Sequence, residues 1–243
     1  MGRGPSIEGR KNAEDARRAK VFTKLIREIT IAARGGADPA ANARLRMGID
    51  KALAANMSKD TIERAVKRGS GADGADNMEE IRYEGYGPGG VAVIIDTMTD
   101  NSVRTVADVR HALSKHGGNL GTSGSVAFQF SRRGEIVVAT PDGAADDRLM
   151  ELALEAGAED VASAEGRSTV ICAPADFEAV KQSIEAAGIT PESADIVMAP
   201  ANRVKVEGEA LEDLLDMLDR LEGLDDVQEV YHIADLPPEP AED

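Results

Sequence analysis

EIVVAT (135–140), DDRLMELALEAG (146–157), EDVASA (159–164), STVICA (168–173), ADFEAVKQSIEAAG (175–188) and ADIVMA (194–199) follow one another with only short connections between them. Short apolar runs read as strands, and the two longer segments, with apolar residues three and four apart, read as amphipathic helices. The resulting βαββαβ order is that of a ferredoxin-like sandwich, and residues 133–202 hold enough chain to fold as one domain. This stretch decides the fold, because the segments on either side of it are incomplete.

Upstream, IRYEGYGPGG (81–90) and a buried strand around VAVII (91–95) predict a hairpin. A helix is expected over 102–115 with Val103, Val106, Val109 and Leu113 inward, then a strand SVAFQF (125–130). Downstream, RVKVEG (203–208) and DVQEVYHI (226–233) read as strands around a helix from Glu209 to Leu221 bearing Leu211, Leu214, Leu215, Leu218 and Leu221. Neither flank can cover both faces of a sheet alone. Residues 78–132 and 203–238 are therefore expected to pair into one discontinuous α+β domain interrupted by the ferredoxin-like insert, with 239–243 an acidic tail.

The first 77 residues have a different character. Ala13 to Arg34 read as one helix with Phe22, Leu25, Ile26, Ile29, Ala32 and Ala33 on an apolar stripe. Arg17, Lys20, Lys24, Arg27 and Arg34 fall in a sector roughly opposite it. Asp38-Pro39 is read as the start of a second helix, with Leu45, Ile49 and Leu53 inward and Arg44 and Lys51 on another side. Ser58 caps a third, which Gly69 is expected to end in a left-handed conformation. A three-helix bundle followed by the linker GSGADGADN (69–77) results. The fold class is α+β in three domains: bundle, α+β domain and inserted ferredoxin-like domain.

Composition bounds the function. The chain has 243 residues, no tryptophan, three tyrosines and four phenylalanines, so aliphatic side chains fill its cores. No apolar run approaches the roughly 18 residues needed to cross a bilayer, and the basic N-terminus is not followed by an apolar h-region, so a cytoplasmic location is expected. A single cysteine, Cys172, forms no internal disulfide. The net charge of −16 conceals a division: residues 1–68 carry +8 and residues 69–243 carry −24. A positive module on an acidic chain needs a partner or an internal contact, since the acidic remainder already provides solubility.

Nucleic-acid affinity comes mainly from Lys and Arg neutralising phosphates. Arg10, Lys11, Arg17, Lys20, Lys24, Arg27, Arg34, Arg44 and Lys51 are the candidate contacts. The plainer readings are a solvated face or an internal contact with the acidic domains. Phe22 faces the core, so phosphate contact is better supported than base stacking. The loop GGNLGTSGS (117–125), with Arg104, Arg110, Lys115 and Asn119 on or near it, is a second candidate phosphate contact, against the reading of a mere connection. YEGYGPGG (83–90) lacks the lysine of a P-loop and reads as a hairpin turn. His111, His116 and His232 occur singly, no nucleophile elbow is present, and Asp225 and Asp226 read as a solvated loop. No catalytic residue, metal site or cofactor is expected.

The segments VFTKLIREI, RLRMGIDKALAANMSKDTIERA, RYEGYGPGGVAVII, RTVADVRHALSKHGGNLGTSGSVAF, LEAGAED and DDVQEVYH closely resemble the YebC/PmpR family. A mitochondrial relative is a translational activator of cytochrome c oxidase. The resemblance covers nearly the whole chain and implies the same three domains. It also implies no enzymatic activity, since members are described as probable transcriptional regulators that bind DNA and as ribosome-associated translation factors relieving stalls at proline-rich stretches. Many members begin with a segment like A-G-H-S-K-W-A. This chain has MGRGPSIEGRKN, without that tryptophan and histidine.

The expected function is a non-enzymatic regulator of gene expression that binds promoter DNA or ribosomal RNA through the basic bundle, while the acidic domains orient it or recruit the ribosome or another protein. Two alternatives use the same residues differently. A protein-binding adaptor would act through its acidic surface, and an enzyme would use the glycine loops for a phosphorylated ligand.

Overall fold

A computed structural model describes residues 7–72, 74 and 77–236, with side chains from residue 14 onward. Linker positions 73, 75 and 76 and the tail 239–243 lie outside the described residues. The chain forms two compact units, the first comprising residues up to Ser125 with Val206–Val230, the second Val126–Lys205 with the chain from Tyr231 on.

The first unit opens with α1 (Ile7–Ala33), α2 (Ala43–Ala54) and α3 (Lys59–Gly69). Ile29, Ala32, Ala33, Leu45, Ala52, Met57, Ile62 and Ala65 form their shared core, with Phe22, Leu25 and Ile26 packed against it. The local signals differ from expectation at two points. Asn42, not Asp38, caps α2, its Oδ1 accepting the Leu45 N–H at 3.0 Å. Asp38 instead accepts from Ala40 N at 2.9 Å, closing a turn two residues long before the helix begins. Gly69 lies inside α3, and the left-handed position is Gly71, with φ +81°. Ser58 caps α3 as expected, accepting from Thr61 N.

The rest of this unit is a sheet in the order β3-β1-β2-β9, built from β1 (Glu79–Tyr86), β2 (Ala92–Thr99), β3 (Asn119–Leu120) and, after the second unit, β9 (Val227–His232). β1 and β2 form an antiparallel hairpin with Tyr83 opposite Ile95, and its turn uses Gly89 and Gly90 at φ +71° and +73°. Helices α4 (Ser102–Lys115) and, late in the chain, α7 (Glu209–Glu222) pack beside each other. Val109 and Leu113 of α4 and Leu214, Met217, Leu218 and Leu221 of α7 are buried. Val103, expected inward, is 77% exposed, and Leu53 and Leu215 are also exposed. Strand β9 lies beside β2, so this sheet takes strands from both sides of the second unit.

The second unit is the sandwich, with β4 (Phe130–Ala139), α5 (Gly143–Glu155), β5 (Asp160–Ala164), β6 (Arg167–Cys172), α6 (Phe177–Ala186) and β7 (Ser193–Pro200). The sheet order is β5-β6-β4-β7, with every pair antiparallel, the ferredoxin-like arrangement. Ile136, Val138, Val170 and Cys172 face Leu149, Ala153, Phe177, Val180 and Ile184 of the two helices in its core. SVAFQF is not a strand: Ala127–Gln129 make a single 3₁₀ turn and β4 begins at Phe130, where Phe130 pairs with Pro200. The unit is thus wider than 133–202. It also includes β8 (Val204–Lys205) and β10 (Ala234–Asp235), which pair parallel with each other. No described helix is long and apolar enough to cross a membrane.

Candidate nucleic-acid interface

Helix α1 leaves the bundle before it ends. From Ile29 onward it is buried among α2 and α3, but every residue from Glu14 to Val21 is exposed, so these turns present all their faces to solvent. Arg17 and Lys20 lie there and make no hydrogen bond or ion pair among the described residues, and Arg18 stacks over the Phe22 ring at 5.2 Å. Lys20 Nζ stands beside Gly223, 3.7 Å from where a β-carbon would be. Lys24 is half-buried, and its backbone carbonyl accepts from Gln228 Nε2 at 3.4 Å. Arg10 and Lys11 lie on α1 with their side chains outside the described residues.

The remaining candidate cations of the bundle serve internal contacts. Arg27 Nη1 donates to Asp226 Oδ1 at 2.7 Å, to the Met98 carbonyl at 2.7 Å and to the Asp225 carbonyl at 2.9 Å. Arg34 donates to the Met78 carbonyl. Arg44 bridges Glu28 of α1 and Glu80 of β1. Burial opposes its charge, but the hydrogen bonds to Glu80 and Glu28 outweigh that and raise its pKa. Lys51 is exposed on α2 and also has a partner. The expectation of a free cationic sector therefore needs correcting for Arg27, Arg34 and Arg44. Periodicity locates the face of each helix that carries them, but not the segments that stand opposite.

Asp226 is the centre of this contact, not a solvated loop residue. It is 6% exposed. Besides Arg27 it accepts from Arg104 Nε at 3.1 Å, from Arg104 Nη2 at 2.9 Å and from Thr105 Oγ1 at 2.8 Å, while its backbone carbonyl accepts from Met98 N. Burial pushes its pKa up, but the hydrogen bonds from Arg27, Thr105 and Arg104 win and hold it below the ordinary carboxylate value. A cleft of about 510 Å³ opens here, lined by Arg27, Arg104, Asp100, Asp108, Asp225 and Asp226 among others. Carboxylates outnumber guanidinium groups in it, which disfavours a polyanion.

The second candidate phosphate contact is also partly occupied. Arg104 is held by Asp226 and Asp100. In the glycine loop, Gly118 N donates to the Leu113 carbonyl, Gly121 N to the Glu84 carbonyl and Gly124 N to the Glu84 carboxylate, so these amides are closed to an anion. Arg110, Lys115 and Asn119 remain exposed. In the hairpin loop, Gly87 N donates to the Val91 carbonyl and completes the turn.

The sequence reading missed Arg18, and Lys59, Lys67 and Arg68 on the exposed side of α3. The exposure of the three α3 cations follows from the buried stripe of that helix at Ile62, Ala65 and Gly69, so that periodicity was the signal available for them. Among the described residues, no group of three or more His, Cys, Asp and Glu is placed to hold a metal ion.

The comparisons with known proteins match this architecture. Residues 4–72 match the TACO1/YebC protein N-terminal domain, and residues 78–234 match the TACO1/YebC second and third domain. A "probable transcriptional regulatory protein" of Methylococcus capsulatus is 59% identical over 233 residues, covering 95% of this chain and 93% of its own. One of the same description from Thioalkalivibrio sulfidiphilus is 57% identical over 236 residues, covering 96% and 94%. The crystal structure of a conserved hypothetical protein from Aquifex aeolicus superposes with a TM-score of 0.84 at 43% identity, covering 94% of this chain and 95% of that one. With both family models matched in order and relatives this similar along nearly their full length, the chain belongs to the TACO1/YebC family.

Proposed function

We propose that this protein is a non-enzymatic regulator of gene expression that binds nucleic acid, with promoter DNA as its target and the cytoplasm as its location. The observation that carries this reading is the exposed leading part of α1, where Arg17, Arg18 and Lys20 stand outside the bundle's packing on a chain of net charge −16. A projecting helix can follow a groove while its cations contact phosphates. Lys24, and Lys59, Lys67 and Arg68 of α3, extend the same electropositive module. Arg27, Arg34 and Arg44 act one step back, fixing the bundle to the sheet. The description of its relatives as transcriptional regulatory proteins agrees with this reading.

The test is fluorescence anisotropy of a labelled DNA duplex and of a ribosomal RNA fragment, titrated with wild type and with the Arg17→Glu, Lys20→Glu, Lys24→Glu triple variant. Loss of DNA binding by the triple variant, with its fold intact by circular dichroism, is the expected result. Unchanged binding removes the interface from α1. Crosslinking in cells followed by sequencing of DNA and RNA chooses the target: recovery of ribosomal RNA without promoters would make the protein a ribosome-associated translation factor instead.

A further inference from the structure

Apart from Lys20 Nζ beside Gly223, the exposed turns of α1 have little packing of their own, so their direction is set mainly further along the helix, where α1 meets the sheet domain. The ties of the bundle there include Gln228 to the Lys24 carbonyl, Arg34 to the Met78 carbonyl, Arg44 of α2 to Glu80, and Arg27 to Asp226. Of the two ion pairs, the last is the buried one. It also engages a second helix, because the same carboxylate takes Arg104 and Thr105 of α4. Two guanidinium groups from different helices on one buried carboxylate fix an angle, where a single exposed pair would only restrain a distance.

We propose that Asp226 is the positioning residue of the nucleic-acid interface: by holding Arg27 against Arg104 it sets the direction in which α1 carries Arg17 and Lys20. The proposal rests on the reading of α1 as the polyanion-binding element. Geometry makes it consequential. Arg17 lies ten residues before Arg27, about 15 Å along the axis, so a tilt of about 20° at Arg27 moves Arg17 by about 5 Å. That exceeds the roughly 4 Å within which a cationic nitrogen pairs with an anionic oxygen. A small loss of angle thus takes the cations out of register with a phosphate backbone.

Charge and position predict opposite signs for one substitution. Asp226→Asn removes a negative charge and loosens two arginines, so electrostatics alone tightens polyanion binding. Loss of positioning weakens it. The experiment measures anisotropy of a labelled duplex at fixed salt for wild type, Asp226→Asn and Arg17→Glu/Lys20→Glu. Spin labels at Ala19→Cys on α1 and Ala107→Cys on α4 report the interhelix distance by pulsed electron resonance, with the buried Cys172 left in place. The expected result is binding about fivefold weaker for Asp226→Asn with a broadened distance distribution, a size typical of lost preorganisation. Binding as tight as wild type or tighter, or an unchanged distance distribution, overturns the positioning role. If Arg17→Glu/Lys20→Glu loses binding while Asp226→Asn keeps it, positioning alone fails. If both keep it, the α1 interface itself fails. Should Asp226→Asn not fold, Arg104→Lys, which keeps the charge but removes the two-nitrogen hold of α4 on the same carboxylate, replaces it in both measurements.

Discussion

A β-carbon on Gly69 of α3 would collide with the backbone carbonyl of Thr30 on α1 and stand 2.9 Å from Ala33 Cβ. This glycine is present for close approach of two helices, not for a turn, and the obstacle is backbone, which cannot rotate away. Gly69→Ala is therefore expected to force α1 and α3 apart and to destabilise the bundle by about 2–3 kcal/mol, the upper part of the range for core overpacking. Gly71→Ala, at φ +81° with nothing near its β-position, should cost about 1 kcal/mol from backbone strain alone. Urea unfolding followed by circular dichroism compares the two, and an equal or smaller cost for Gly69→Ala would refute the packing account.

The ties between bundle and sheet differ in burial, and their removal should differ accordingly. Arg44 and its partners Glu28 and Glu80 are substantially exposed, so Arg44→Ala should lower stability by about 1 kcal/mol or less. Asp226→Ala leaves the largely buried Arg27 without its counter-charge, together with one side of Arg104, and should cost about 3–5 kcal/mol. Chemical denaturation of both variants measures the contrast. Comparable losses would show that the Met98 and Asp225 carbonyls, which Arg27 already engages, satisfy it without the carboxylate.

These pairs also show what a sequence can and cannot disclose. The sandwich was legible because each strand and helix from 135 to 199 carries its own periodicity, and the sheet order follows from βαββαβ connectivity. The partners of the basic face were not. Arg27 and Asp226 are 199 positions apart, and nothing near either residue encodes the other. The Asp38-Pro39 signal was outcompeted by Asn42, whose side chain both caps α2 and donates to the Ala32 and Gly36 carbonyls. Val103 and Leu215 continue an apolar spacing beyond the arc that α4 and α7 bury. Periodicity gives a helix its inward direction, while the width of the buried arc depends on neighbours brought from elsewhere.

The depressed pKa of Asp226 has a definite consequence for acid stability. Burial would raise it, but the donors Arg27, Thr105 and Arg104 lower it below the value of about 3.9 expected in the unfolded chain. A group with its folded pKa depressed contributes stability that is fully present above the unfolded value and lost as pH falls through the folded one. The stability difference between wild type and Asp226→Asn should thus be constant at neutral pH and shrink below about pH 4. Urea midpoints of both proteins across acid pH test this. A gap that widens on acidification would mean that the carboxylate is destabilised by burial, with its donors too weak to compensate.

Salt dependence separates the cations that meet a polyanion from those that hold the fold. Each phosphate neutralised on a DNA duplex contributes a slope of roughly −0.9 to the logarithm of affinity against the logarithm of salt concentration. Arg17→Gln and Lys20→Gln together should reduce the magnitude of that slope by about 2, because both side chains are exposed and unpaired among the described residues. Arg27→Gln also removes a positive charge, yet its guanidinium is occupied by Asp226 and two carbonyls, so no counterion is released there when DNA binds. Its slope should match wild type even where its affinity falls through misplacement of α1. Titrations at several salt concentrations distinguish the two classes. A slope for Arg27→Gln reduced as much as that of Arg17→Gln alone would place Arg27 on the phosphates after all, and would require the Asp226 contact to open on binding.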